Sequence, residues 1–382
     1  MGPLQGIRII EIAGIGPGQF CGMLLADMGA KLIRIDRIGD ADIDVPLPER
    51  YNLMNRSRPA IAVDLKHEDG VKLVLDFCER ADGLFEGFRP GVMERLGLGP
   101  AECMARNKRL VYGRMTGWGQ TGPLSSAAGH DGNYAGLSGA ISAIGEHSGP
   151  PVIPLNLVAD FGGGGAYLAL GMLAALLEAG RSGEGQIVDA AMVDGAASLM
   201  TLFYGLKAGG LWRDDRGRNF LDGAAPFYRP YATRDGKYVI VCAIERHFFR
   251  NLLETLSIED IDPADQFDDS NWHDHIACLQ KTFLQKTRDE WCDIFEDVDA
   301  CVSPVLSLAE SPQHPHNMAR ETFVKVDGIT QPAPAPRFSR TPSEISAPPG
   351  AAPDTTGDAL TMWGIMESEQ RRLQEAGVIS KT

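Results

Sequence analysis

Residues 6–36 read GIRIIEIAGIGPGQFCGMLLADMGAKLIRID, and this pattern decides the fold class. Residues 7–12 are a short apolar strand, and the glycines at 14, 16 and 18 make a turn. Residues 20–29 have helical spacing with Gly29 placed to stop the helix, and 31–36 form a second strand. Strand, helix and strand in this order make a βαβ unit, whose crossover sets the two strands parallel. The alternation continues outward. Further strands are expected at 61–65, 83–86, 110–115 and 186–191, with helices at 71–80 and from the glycines after Asp160 to 179. Together these predict an α/β fold, a parallel doubly wound sheet covered on both faces. Beyond residue 200 the character changes. Residues 226–232 and 237–244 read as strands joined by the hairpin sequence Thr-Arg-Asp-Gly, and acidic helices fill 246–300. The Pro-rich stretch 331–353 reads as an extended linker, and the tail from 356 is helical again.

The 382 residues suffice for about two or three domains. With 36 Lys and Arg against 51 Asp and Glu the net charge is −15. That argues against nucleic acid and membrane surfaces as partners, because phosphate affinity comes from Lys and Arg. The charge is uneven. Residues 251–300 hold 14 acidic and 3 basic side chains, a net −11, whereas residues 31–120 hold 14 and 15, a net +1. The acidity therefore coats one segment and leaves the N-terminal part able to hold a phosphorylated ligand. The chain runs straight into its first strand, which predicts no signal peptide. The longest apolar run, 161–177, is shorter than a bilayer span requires and reads as a core helix. Seven cysteines without a CxxC pair argue against a disulfide framework or structural zinc, and for a reducing compartment. The expected location is the cytoplasm. A peroxisomal address, relevant to a eukaryotic source, would end Ser-Lys-Leu, and this chain ends Ser380-Lys381-Thr382.

Three groups of residues could carry chemistry. The turn at 14–18 resembles a dinucleotide-binding fingerprint, with Asp36 about where a ribose-binding acid would sit. The third glycine is misplaced, however: Gln19 holds its position, and Pro17 removes an N–H from any phosphate cradle. The second group is cationic. Arg37, Lys66 and Arg89 follow expected strand ends, and Arg95 lies six residues after Arg89. Carboxyl ends of parallel strands form the ligand rim of such sheets, so these residues suit several phosphates or are separate surface charges. The third group is His130, Asp160 and Glu245. Each has an ordinary alternative: a solvated loop histidine, a helix N-cap and a first-turn helix acid, respectively. The His-x-His pairs at 273/275 and 314/316 read as solvated surface, and no metal site is expected.

Ten segments carry a resemblance that extends over residues 4–341: GIRIIEIAGIGPG, FRPGVMERLGLGP, YGRMTGWGQTGP, AGHDGNY, PLNLVADFGGG, GEGQIVDAAMVDG, NFLDGAAPFYRPY, DGKYVIVCAIE, DACVSPVL and PAPRFSRTP. In these the chain resembles the alpha-methylacyl-CoA racemase branch of the family III CoA transferases, also called CaiB/BaiF proteins. The resemblance implies a Rossmann-like large domain over 1–200, completed by 330–382. A linker at 200–225 then leads to a smaller α+β domain at 225–325. It implies an interlocked homodimer whose active sites lie between one chain's large domain and its partner's small domain. By the same resemblance His130 and Asp160 are the acid/base pair, and Glu245 assists His130 from the other subunit. Arg37, Lys66, Arg89 and Arg95 bind coenzyme A, and the backbone N–H of Asp131 contacts the oxyanion. Met115 and Met192 face the acyl chain or pack the core. The implied substrate is a 2-methylacyl-CoA thioester inverted at Cα through an enolate, with no cofactor beyond the CoA it carries. Two rivals remain: a CoA transferase using Asp160 as nucleophile, and an acyl-CoA-binding protein without catalysis. One departure from the branch is Arg246-His247 after Glu245, where racemases of the branch carry Pro-Gln.

Overall fold

The computed structural model describes residues 2–39, 47–350 and 355–380. The last three residues of the Pro-rich stretch, 351–353, and the terminal Lys381 and Thr382 lie outside the described residues. Six strands form the principal sheet: β1 (Arg8–Ile12), β2 (Lys31–Asp36), β3 (Ala60–Ala62), β4 (Gly83–Glu86), β5 (Val111–Thr116) and β6 (Ile187–Ala191). Their order is β3-β2-β1-β4-β5-β6, and every neighbouring pair is parallel. The α/β expectation for this part of the chain is met. Ile10, Ile12, Ile33 and Ile35 alternate onto one face and join Leu73, Val74, Phe77 and Tyr112 in a single buried cluster. Helix Glu68–Cys78 supplies three of these, starting three residues earlier and ending two earlier than its apolar spacing suggested; the His67 side chain accepts Asp69 N–H at its start. Helix Pro17–Asp27 likewise starts earlier than expected. Proline is well suited to a first helical position, and Gly29 at φ +94° ends the helix as read. The C-terminal segment closes the cluster with Leu360, Trp363 and Leu373; Trp363 meets Phe77 edge-on at 5.3 Å.

The chain divides into two compact units. The first comprises Met1–Ser138, Leu155–Leu199 and Ala319–Thr382, and the second Gly139–Pro154 and Met200–Met318. The second unit contains an antiparallel sheet of β7 (Tyr228–Ala232), β8 (Tyr238–Cys242) and β9 (Val302–Pro304). Its core is aromatic, built on Phe227, Tyr231, Phe249, Phe283 and Trp291. Two stretches read as linker contain regular structure. The stretch 200–225, read as linker, includes helix Thr201–Ala208, none of whose side chains is buried. The linker read from 331 begins later, because residues 331 and 332 end a hairpin of β10 (Phe323–Val326) and β11 (Ile329–Pro332). There Gln331 is buried and accepts a hydrogen bond from Arg56, which also pairs with buried Asp27. A buried guanidinium needs several acceptors, and a short apolar count could not reveal that this strand supplies two of them.

The apolar run is longer than its sequence limits suggested. It is helical over Leu157–Ser182, 26 residues that include an 18-residue window of mean hydropathy 1.4, long and apolar enough to cross a bilayer by length and composition. One face packs on the sheet through Leu168, Met172 and Ala175, while Leu170 and Leu177 are exposed.

Strand order reverses between β1 and β4, and ligands of open parallel sheets bind in the crevice outside the strand ends at such a point. The turns after these strands run side by side: a Cβ on Gly14 would lie 3.9 Å from Gly87 Cα. A buried carboxylate underlies each turn. Glu11 of β1 pairs with Arg58. Glu86 of β4 accepts from Phe88 N–H at 2.6 Å and from Arg114 Nε at 3.1 Å, and so holds the turn that leads to Arg89. Burial outweighs these donors and pushes the Glu86 carboxyl up to about 7. Between its ordinary 4.5 and about 7, the folded protein therefore binds more protons here than the unfolded chain, and stability falls as pH rises through that window. Glu86→Gln removes this term. Urea unfolding should show the wild type losing about 2–3 kcal/mol relative to Glu86→Gln between pH 5 and 8. Parallel pH curves for the two proteins would contradict it.

Candidate active site

Asp160 faces the crevice. It lies in a π-helical turn, Leu157–Gly165, rather than at the N-cap that was its ordinary alternative. Wide helical turns of this kind gather at functional sites. Glycines permit this turn: the backbones of Gly163 and Gly195 approach so closely that a Cβ on either would collide with the other segment. The Asp160 carboxylate reaches the turn after β1, where a Cβ on Gly16 would lie 3.3 Å from Asp160 Oδ2, and Asn156 Nδ2 donates to the same oxygen at 3.2 Å.

His130 precedes helix Asp131–Leu137 and is exposed. Its N–H donates to Asn133 Oδ1 at 3.0 Å, and the Tyr134 hydroxyl donates to the carbonyl of Gly129. Tyr134 also packs edge-on against Trp118 at 4.7 Å, so the loop entering His130 is pinned from inside. The structure brings His130 and Asp160 within electrostatic reach of each other. The link between them is Asp131. Its Oδ2 accepts Ala159 N–H at 2.7 Å and Asp160 N–H at 2.8 Å. Burial raises the Asp160 carboxyl above the ordinary range; the Asp131 charge raises it further, while Asn156 and His130 oppose. Burial and the Asp160 charge raise the Tyr134 phenol in turn.

The cations lie along consecutive strand ends. Lys66 follows β3, Arg37 follows β2 and Arg89 follows β4, on either side of the turn after β1. Arg95 ends the short helix Val92–Arg95 and folds back to within 3.3 Å of a Cβ placed on Gly91. All four are exposed. The dinucleotide reading loses its remaining support here. Gln19 Oε1 occupies the Gly16 N–H at 3.3 Å, and the Asp160 carboxylate stands where a pyrophosphate would need room.

Met115 and Met192 are 2% and 8% exposed, and Met192 packs close against Gly164. Glu245 belongs to the second unit, at the head of helix Arg246–Thr255, where its side chain is exposed and caps nothing. Gln266 Nε2 fixes the strand end before it by donating to the carbonyls of Ala243 and Ile244 at 2.9 and 2.8 Å. Arg246 and His247 are exposed beside it. Sequence reasoning missed the side chains of Asp131, Gln19 and Glu86. Only the adjacency in Gly-His-Asp pointed toward the first, and nothing in the spacing placed residues 159 and 160 beside it.

The arrangement offers an imidazole and a carboxyl shifted upward by burial at one crevice, beside a cationic rim. Alpha-methylacyl-CoA racemase of Mus musculus is 42% identical over 98% of this chain and 97% of its own length. The Homo sapiens protein of the same name is 41% identical over 89% and 87%. Among solved structures, Rv3272 from M. tuberculosis superposes with a TM-score of 0.75 at 27% identity, covering 91% of this chain and 96% of that one. A CAIB/BAIF family protein from Brucella suis has the same fold, with a TM-score of 0.79 at 24% identity over 94% and 98% of the two chains. Residues 4–355 match the family model, and the chain belongs to CoA-transferase family III.

Proposed function

We propose that the protein is an isomerase that interconverts (2R)- and (2S)-2-methylacyl-CoA thioesters by 1,1-proton transfer. The observation that carries this reading is the Asp131 link, which sets His130 and Asp160 at one crevice. The racemases named above, at 42% and 41% identity, support it. A thioester Cα–H is weakly acidic, and inversion takes the proton from one face and returns another to the opposite face. Each of two differently placed groups is then base in one direction and acid in the other. A carboxyl raised by burial is suited to carry a proton in both roles. The enolate oxygen takes a donor from the Asp131 backbone N–H. Lys66, Arg37, Arg89 and Arg95 hold the phosphates and adenosine side of CoA, and the reaction asks for no other cofactor.

The exposed apolar side chains Leu170, Leu177, Ile187 and Leu199 of the first unit suit burial against a second copy. In our reading the functional form is a homodimer in which Glu245 of one copy orients the imidazole of His130 of the other. Seven free thiols fit the cytoplasm.

In D2O, a single 2-methylacyl-CoA epimer should take up deuterium at Cα while its acyl group stays on the same CoA. Exclusion of label together with CoA exchange onto free acids would favour a transferase with Asp160 as nucleophile. Mixed refolding tests the shared site. His130→Ala and Glu245→Gln chains, each impaired alone, should regain up to about a quarter of wild-type activity as hybrids, since one site of a hybrid dimer is intact. No recovery would place Glu245 on the same copy's site. Arg89→Ala should raise KM about tenfold with kcat nearly unchanged, the loss of one charged contact. An unchanged KM would remove Arg89 from the CoA rim.

A further inference from the structure

The reading above uses the Asp131 side chain as a link between two segments and its backbone N–H as a donor, and gives the carboxylate's charge no part. It is 4% exposed, lies next to His130 in sequence, and accepts two amide hydrogens from residues 159 and 160. Those amides belong to the first turn of the helix Leu157–Gly165, whose N–H groups lack intrahelical partners. Asp131 therefore caps this helix from a distance of almost thirty residues, 131 to 159. A cap alone does not explain a carboxylate. One oxygen, Oδ2, accepts both amides, and the other, Oδ1, is buried without a hydrogen-bond partner among the described residues. An orphaned oxygen of a buried acid costs stability and gives the helix nothing. The charge has a different beneficiary. Asp160 is faced by Asp131, His130 and Tyr134 from helix Asp131–Leu137 and the residue before it, by Asn156 from its own segment, and by uncharged Gly16 from the turn after β1.

We propose that Asp131 is a positioning residue for catalysis: its carboxylate ties the backbone of Asp160 to the residue beside His130, and its second, unpartnered oxygen sets a negative charge beside the Asp160 segment. One side chain thus sets both the separation of the two proton-transfer groups and the charge that faces one of them. The inference rests on the racemase reading. It predicts a division of labour between two variants. Asp131→Asn keeps an acceptor for the amides and removes the charge. Asp131→Ala removes both.

The test uses the full-length protein and Cα–H exchange in D2O as a function of pH. For Asp131→Asn, KM should stay within about threefold, while the limb of the kcat profile that belongs to Asp160 moves to lower pH by half a unit or more. Asp131→Ala should lose about a hundredfold in kcat, since a small displacement of a proton-transfer group is enough for that. A purely structural cap would lower melting temperature without moving the pH limb. An unmoved limb with kcat within twofold in Asp131→Asn overturns the inference. Should the variants not fold, amide hydrogen exchange of the wild type decides: Ala159 and Asp160 must be protected, and rapid exchange at both overturns it. If the wild type itself exchanges no Cα proton, the racemase reading fails instead, and the amide measurement still judges the clasp.

Discussion

A parallel sheet built by right-handed crossovers on both sides of a central pair has to reverse direction once, and the turns on either side of that reversal part to leave a crevice. In this protein the reversal falls between β1 and β4, and most of the site follows from it. The turn after β1 brings Gly16 up to Asp160, and the turn after β4 leads into Arg89. The strands beyond β1 end near Arg37 and Lys66. Positive charge is thus gathered on one rim by topology alone. Beneath it lie Glu11 and Glu86, buried acids that are tolerable only because Arg58 and Arg114 pair with them. The crevice rests on charges, and that makes its turns responsive to pH near neutrality through Glu86.

The second layer of organisation is local to the acid and base. Tyr134 and Asn133 fix the backbone around His130, while glycines let the wide helical turn with Asp160 press against the helix Met192–Leu199. Two rigid pieces then meet through two hydrogen bonds to one carboxylate. Few constraints fix a pair of side chains from remote segments so economically. The same carboxylate makes the neighbouring acid harder to ionise, so geometry and proton affinity are set together.

The sheet was legible because residues 6–36 carry its whole logic: an apolar strand, a glycine turn, a helix with a glycine stop and a second apolar strand. β2 and β4 fall where their residues indicated, since buried parallel strands leave continuous apolar runs. The site was legible only in part. His130, Asp160 and the rim cations stand out as residue types beside glycines and strand ends, and the family resemblance gave them roles. Their mutual placement was invisible, because it depends on side chain to backbone bonds between segments almost thirty residues apart. Gln331 escaped for the same reason: a proline-rich composition concealed a buried acceptor for Arg56. Met115 and Met192, which the resemblance offered to the acyl chain or to the core, are buried in the single chain. The charge of −15 belongs chiefly to residues 251–300 and says little about the crevice.

The most direct measurement is a crystal structure of the protein with an unreactive 2-methylacyl-CoA analogue whose thioester is replaced by a thioether. The account predicts the CoA phosphates among Lys66, Arg37, Arg89 and Arg95, and the branched carbon between His130 and Asp160, within about 3–3.5 Å of each. An analogue bound elsewhere, or with its branched carbon approached by only one of the two side chains, would contradict it.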